Sequence, residues 1–217
     1  MDTNYLIKHA QAVIFDLDGV LVDTAVFHFH AWKRLANSFG FDFQPSDNEH
    51  LKGVSRTDSL ELILNWAGKQ ATTAEKMAYA EQKNLWYLEL VDKMQIGDVL
   101  PGSIELLDHL KGCGKGVALG SASKNARLIL EKTGISNYFD VIIDGNAVKR
   151  SKPDPEVFLL GASQLGVINS KCLVFEDAQA GIDAAKNAGM KVIAVDRSHT
   201  LKDYDVRLDE LTEIKYS

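Results

Sequence analysis

Residues Ala12–Thr24 read AVIFDLDGVLVDT, four apolar residues running straight into Asp16-Leu17-Asp18-Gly19. A run this short with no polar alternation reads as a strand buried on both faces, as in a parallel sheet. Similar runs recur as Val117-Ala118-Leu119 before Gly120, Val141-Ile142-Ile143 before Asp144, Leu173-Val174-Phe175 before Glu176, and Val192–Val195 before Asp196. Helical spacing separates them, over Ser103–Lys111, Lys124–Lys132, Pro155–Leu165 and Ala180–Ala188. Strands alternating with helices predict an α/β fold, a doubly wound parallel sheet with a Rossmann-like core. Ligands of such sheets bind beyond the carboxyl ends of the strands, and here those ends carry Asp, Gly or Glu.

From about Thr24 to Met94 the alternation stops, and consecutive helices follow with no strand between them. Val26–Phe39 spaces Phe29, Trp32, Leu35, Ala36 and Phe39 along one face and stops at Gly40. Ser55-Arg56-Thr57-Asp58 and Thr72-Thr73-Ala74-Glu75 are capping boxes, each opening a further helix. Pro101-Gly102 marks the return to the sheet. The predicted organisation is an α/β core of residues 1–23 and 95–217 with an all-helical cap domain, 24–94, inserted after the first strand. The tail beyond Val195 has no assigned chemistry; a closing helix over the sheet edge is the expected use.

The chain has 217 residues, 46% of them hydrophobic, with 24 Lys plus Arg against 30 Asp plus Glu. That composition builds an ordinary globular core. With no run of basic residues, nucleic acid is not an expected partner. The longest apolar stretches are strand-sized, so no membrane span is expected. Cys113 and Cys172 stand apart, with no metal-ligand spacing around them, and MDTNYLIKHAQ lacks an export signal. The expectation is a cytoplasmic monomer acting on a small molecule.

Asp16 and Asp18 lie two residues apart at a strand end, so their side chains share a face. Close carboxylates separate in proton affinity, one serving as nucleophile and the other as general acid. Taken alone, a turn with two solvated aspartates fits the same pattern. Glu176-Asp177 ends another strand and brings two more carboxylates toward the same crevice. A hard divalent cation, Mg²⁺ above all, would offset such a cluster. Gly120-Ser121-Ala122-Ser123-Lys124-Asn125 joins hydroxyls, amides and a lysine in a phosphate cradle, or is a plain helix cap. Lys152, in Ser151-Lys152-Pro153-Asp154-Pro155, either faces the carboxylates or is a surface charge. Read from sequence alone, Lys83 sits on a solvated face, Arg56 is a first-turn charge, and His28 packs on an apolar helix face.

FDLDGVLVDT, GSASKN, SKPDP and FEDAQAG, in that order, each at or just after a strand end, resemble the haloacid dehalogenase-like superfamily. The resemblance implies phosphoryl transfer through an aspartyl-phosphate with Mg²⁺. It makes Asp16 the nucleophile and Asp18 the general acid/base, with Ser121 and Lys152 balancing charge. Asp16, the Asp18 main-chain carbonyl, Glu176 and Asp177 would hold the ion. The cap residues His28, Trp32, Leu51–Ser59 and Lys83-Asn84 further resemble the sugar-phosphate mutases of that family. This implies interconversion of β-D-glucose 1-phosphate and β-D-glucose 6-phosphate, the alternative being a phosphatase of small sugar phosphates. Gly53, Val54, Arg56, Lys83, Ser123, Lys124 and Asn125 would hold the sugar phosphate, with Trp32 in the cap core. His28 would touch Asp18 at the hinge.

Overall fold

The computed structural model describes residues 2–216. Its elements in chain order are α1 (Thr3–His9), β1 (Ala12–Phe15), α2 (Ala25–Ser38), α3 (Pro45–Glu49), α4 (Arg56–Trp66), α5 (Thr73–Val91) and α6 (Ser103–Gly112). They continue with β2 (Gly116–Gly120), α7 (Ala126–Lys132), β3 (Val141–Ile143), α8 (Glu156–Leu165), β4 (Cys172–Glu176), α9 (Gln179–Asn187), β5 (Lys191–Val195) and β6 (Val206–Leu208). All strand pairs are parallel, in the order β3-β2-β1-β4-β5-β6. The order reverses at β1, whose neighbours on its two sides are β2 and β4. Strand ends on either side of that switch point open a crevice, which is where Asp16 and Glu176 lie.

Alternation along each strand feeds two cores. Val13 and Phe15 of β1, Val117 and Leu119 of β2, and Leu173 and Phe175 of β4 pack with Leu106, Leu107 and Leu110 of α6 and with Ile129 of α7. Ala12, Ile14, Ala118 and Val174 face the other way, against Phe158 of α8 and Ile182 of α9. This is why the strand sequences are apolar throughout: each is covered on both faces. A third cluster, Trp32, Leu35, Phe43, Leu60, Ile63 and Leu64, is built from the inserted helices themselves.

Thr72 and Glu75 form the full reciprocal capping box at the start of α5. At α4 only half of the expected box is present. The Ser55 hydroxyl accepts from the Asp58 amide at 3.2 Å, and the Asp58 carboxylate accepts from the Ser55 and Ser151 hydroxyls, at 2.7 and 3.0 Å. Asp58 thus ties the inserted helices to the core instead of closing its own box.

The tail corrects the expectation of a closing helix. Residues Val206–Leu208 add a sixth parallel strand beside β5, followed by a single 3-10 turn at Leu211–Glu213. Asp205 pins it there. Its carboxylate accepts from Lys186 at 2.6 Å, from Lys191 at 2.7 Å and from the Val192 amide at 2.9 Å. Burial alone would raise the proton affinity of Asp205, but these donors outweigh it and hold its pKa below the usual value. A carboxyl lowered on folding contributes stability above its unfolded pKa, and that contribution is lost as pH falls through the folded value. Asp205→Asn is therefore expected to lower the melting temperature at pH 7 by the equivalent of about 1–2 kcal/mol. The deficit shrinks as pH falls through the lowered folded pKa of Asp205, as thermal unfolding followed from neutral to acid pH will show.

Candidate active site

Asp16 is the first residue after β1, and its amide donates to the Phe175 carbonyl at 2.9 Å, which extends the β1–β4 ladder by one step. This places it beside Glu176, the last residue of β4. Lys152, brought in by the loop before α8, bridges the two. Its Nζ lies 2.5 Å from Asp16 Oδ1 and also bonds Glu176 Oε1, with the side chain almost wholly buried. Burial alone would lower the lysine's proton affinity, but Asp16 and Glu176 reverse this and keep it a cation. The surface-charge alternative for Lys152 is excluded.

Oxygen atoms of Asp16, Glu176 and Asp177 lie within 4.8 Å of one another. All three donors are carboxylates, the hard, oxygen-only set that Mg²⁺ takes. Glu176 and Asp177 have raised pKa values, from burial first, and then from the negative charges around them. Burial thus disfavours the ionised carboxylates, and a divalent cation with oxygen ligands would offset their charge beyond what Lys152 and Lys52 do. Two glycines keep its space. A side chain at Gly19, where φ is +82°, would collide with the Asp177 carboxylate, and one at Gly181 would collide with Glu176. Mg²⁺ is thus the cofactor these residues fit.

Asp18 is outside that cluster. Its carboxylate accepts the Thr24 hydroxyl instead. Thr24 heads α2 but gives that helix no side-chain cap; its hydroxyl donates to Asp18. Burial, and then the charge of Asp16, push the Asp18 pKa up from 3.8 to about 7. With its side chain turned to Thr24, only the main-chain carbonyl of Asp18 is left as a metal donor.

A cavity between the sheet and the inserted helices is lined by Asp16, Asp18 and Asp177 from the core and by Lys52, Arg56 and Lys83 from the insert. Its walls also include His28, Trp32, Gly53, Val54, Ser121, Ser123, Lys124 and Asn125. All the site residues expected from sequence therefore surround one space, except Lys152 and Glu176, which lie beneath Asp16. Residues 121–125 form a loop, and α7 starts only at Ala126. Within that loop Ser121 Oγ accepts from the Ser123 amide and Ser123 Oγ from the Asn125 amide, at 3.1 and 3.2 Å. Asn125 Nδ2 donates across the cavity to Asn84 Oδ1 of α5, at 2.9 Å.

Three residues differ from the sequence reading. Lys83 is buried, not solvated: its Nζ lies 2.9 Å from His28 Nδ1 and sits over the rings of Trp32 and Tyr87, at 4.5 and 4.8 Å. Burial, and then the Arg56 charge, lower its pKa, with Asp18 pulling the other way. His28 bonds Lys83 rather than Asp18, whose partner is Thr24. Burial first, then Lys83 and Arg56, drive its pKa well down, so the ring is neutral. Arg56 lines the cavity and is not a plain surface charge. Trp32 packs in the cluster of the inserted helices as expected.

Lys52, Thr24 and Tyr87 were not singled out by sequence. Thr24 stands in the Asp16–Thr24 stretch and could have been found there. Tyr87 lies one helical turn from Lys83, with its ring 4.3 Å from that of His28. Nothing in sequence marks the lysine at position 52 as a contact of Asp177.

The profile of the haloacid dehalogenase-like hydrolases matches residues 13–195. The β-phosphoglucomutase of Bacillus subtilis is 40% identical over 206 residues, spanning 94% of this chain and 91% of that protein. A phosphorylated carbohydrates phosphatase of Thermotoga maritima is 33% identical over 186 residues, 84% of this chain and 83% of its own. The crystal structure of a β-phosphoglucomutase from Clostridium difficile superposes with a TM-score of 0.92 at 42% identity, covering 95% of this chain and 94% of the other. No helix among the described residues is long and apolar enough to cross a membrane.

Proposed function

The chain belongs to the haloacid dehalogenase-like hydrolase family, and we propose that it acts within it as a β-phosphoglucomutase. It interconverts β-D-glucose 1-phosphate and β-D-glucose 6-phosphate. The observation that carries this reading is the shared cavity: Arg56 and Lys83 of the inserted helices face the same space as Asp16 and Asp18. A substrate with phosphate at both ends needs a second anion site, and a guanidinium grips one by paired hydrogen bonds. The helices of residues 24–94 serve as a cap over a core made of 1–23 and 95–217. Two free cysteines, Cys113 and Cys172, suit a reducing cytoplasm.

Asp16 carries the phosphoryl group. The free hydroxyl of the bound monophosphate attacks it, the bond from phosphorus to the Asp16 oxygen breaks, and Asp18 takes the hydroxyl proton. The bisphosphate so formed turns end for end. Its other phosphoryl group returns to Asp16, while Asp18 gives the proton back to the departing sugar oxygen. Asp16, Glu176, Asp177 and the Asp18 carbonyl would hold Mg²⁺, which would supply charge compensation for the phosphoryl oxygens. Lys152 and Ser121 support that charge from beneath and beside Asp16. Gly53, Val54, Arg56, Ser123, Lys124 and Asn125 hold the far phosphate and the sugar. The Lys83–His28 pair walls the cavity beside Asp18, and the seated cap excludes water, the competing acceptor.

³¹P NMR of the protein with Mg²⁺, β-glucose 1-phosphate and a trace of β-glucose 1,6-bisphosphate tests this. Conversion to glucose 6-phosphate with little inorganic phosphate is the expected result. Steady release of inorganic phosphate without isomerisation would make the protein a phosphatase, as the Thermotoga relative is named. Arg56→Ala is expected to raise KM for the monophosphate roughly 10- to 100-fold, the loss of one or two charge-assisted hydrogen bonds. Arg56→Lys recovers little of it, because an ammonium lacks the paired donors. An unchanged KM in both would remove Arg56 from the site.

A further inference from the structure

One cation of the cap reaches a carboxylate of the proposed metal site. Lys52 Nζ lies 3.2 Å from Asp177 Oδ2 and 3.0 Å from Glu49 Oε2, so a single ammonium links the end of α3 to the loop after β4. The backbone next to it runs alongside the start of α9. A Cβ at Gly53, where φ is +72°, would lie 3.5 Å from the Ala178 methyl and 3.7 Å from that of Ala180. Residues 52–53 therefore lie beside the turn that presents Asp177. That same carboxylate lies with Asp16 and Glu176 in the cluster of three.

A divalent ion held there would stand about 2.1 Å from a carboxylate oxygen, which leaves it a few ångströms from the ammonium. Like charges that close, in a largely buried pocket, repel with little screening. We propose that Lys52 competes with Mg²⁺ for Asp177, so that in the substrate-free protein ion binding and the seating of residues 52–54 on the core oppose each other. The inference rests on the metal site of the proposed function. Such coupling is reciprocal: whatever the ammonium subtracts from ion affinity, the ion subtracts from the hold of the cap loop. A phosphoryl group at Asp16 adds negative charge for both cations to share, so the closed, loaded state forms with substrate. Lys52 is accordingly a positioning residue rather than a catalytic one.

Calorimetric titration of Mg²⁺ into wild type, Lys52→Met and Lys52→Arg, without substrate, tests the proposal. Lys52 is about a quarter exposed, so the methionine keeps the stem packing without the charge. Lys52→Met is expected to bind Mg²⁺ on the order of tenfold more tightly, while Lys52→Arg stays close to wild type. Amide exchange at Gly53 and Val54 is expected to quicken when Mg²⁺ is added to wild type and to be insensitive to it in Lys52→Met. Equal or weaker Mg²⁺ binding by Lys52→Met overturns the competition and leaves the metal site standing. Absence of Mg²⁺ binding in all three proteins would overturn the metal site itself, and the competition with it.

Discussion

Asp16→Asn is expected to abolish interconversion, with kcat falling on the order of 10⁴-fold or more. The amide keeps the size of the side chain and one oxygen for Lys152, whose Nζ lies 2.5 Å from Asp16 Oδ1 in the native protein. What is lost is the anionic oxygen that attacks phosphorus, and no neighbour replaces it. Glu176 is committed to Lys152 and to the Ala178 amide at 2.8 Å, and Asp177 to Lys52. The phosphoenzyme signal in ³¹P NMR should vanish together with turnover. Retention of even a tenth of the wild-type rate by a folded Asp16→Asn protein would sink the aspartyl-phosphate reading for mutase and phosphatase alike.

Asp18→Asn separates chemistry from stability in opposite directions. Isomerisation is expected to fall about 10²- to 10⁴-fold, the usual worth of a positioned acid/base. Transfer to Asp16 from a donor with a good leaving group should persist, because that leaving group needs no proton. Stability moves the other way. The native carboxyl titrates near 7 instead of 3.8, because of burial and then the Asp16 charge, so the folded state holds the proton more tightly than the unfolded chain. That contribution is complete below the unfolded pKa and is lost as pH rises from about 3.8 to about 7. At pH 8 the ionised carboxyl costs on the order of 4 kcal/mol. Asn carries no charge to desolvate, so without divalent cations Asp18→Asn should melt at least about 2 °C above wild type at pH 8. The gain should disappear near pH 4. The same titration predicts that wild-type kcat declines on both sides of about pH 7, since one half-reaction needs the acid and the other the base. A lower melting temperature at pH 8, or a flat pH profile, would remove Asp18 from this role.

Much of the site is legible before folding because strand ends are legible. A buried parallel strand must be apolar throughout, so Ala12–Phe15, Val141–Ile143 and Leu173–Phe175 announce themselves, and the polar residue that ends each run is delivered to the crevice by sheet geometry alone. Asp16, Asp18, Glu176, Asp177 and Ser121 follow from that, whereas Lys152, nine residues beyond β3, is pointed to only by the family resemblance. Weaker local signals mislead. The tail from Asp196 has too short an apolar run to read as a strand, and β6 is held by its ladder with β5 and by the contacts of Asp205 with Lys186, Lys191 and the Val192 amide. Ser55-Arg56-Thr57-Asp58 has the letters of a capping box, yet Asp58 turns to the Ser55 and Ser151 hydroxyls, the second 93 residues away in sequence.

The chain's own pattern determined the parallel sheet, the all-helical insertion after its first strand, the carboxylate pairs at two strand ends and the donor chemistry that suits Mg²⁺. Each depends on residues within one element or on a periodicity that local sterics impose. The tertiary structure alone decided that Lys83 is buried against His28, that Thr24 rather than His28 holds Asp18, and that Lys52 reaches Asp177. Those pairings join elements 55, 6 and 125 residues apart in sequence. Thr24 is close in sequence, but its hydroxyl could as well have capped α2. The Lys83–His28 pair depends on how α2 packs against α5 within the insert, and the Lys52–Asp177 pair on how the insert sits on the core, neither of which short-range spacing encodes.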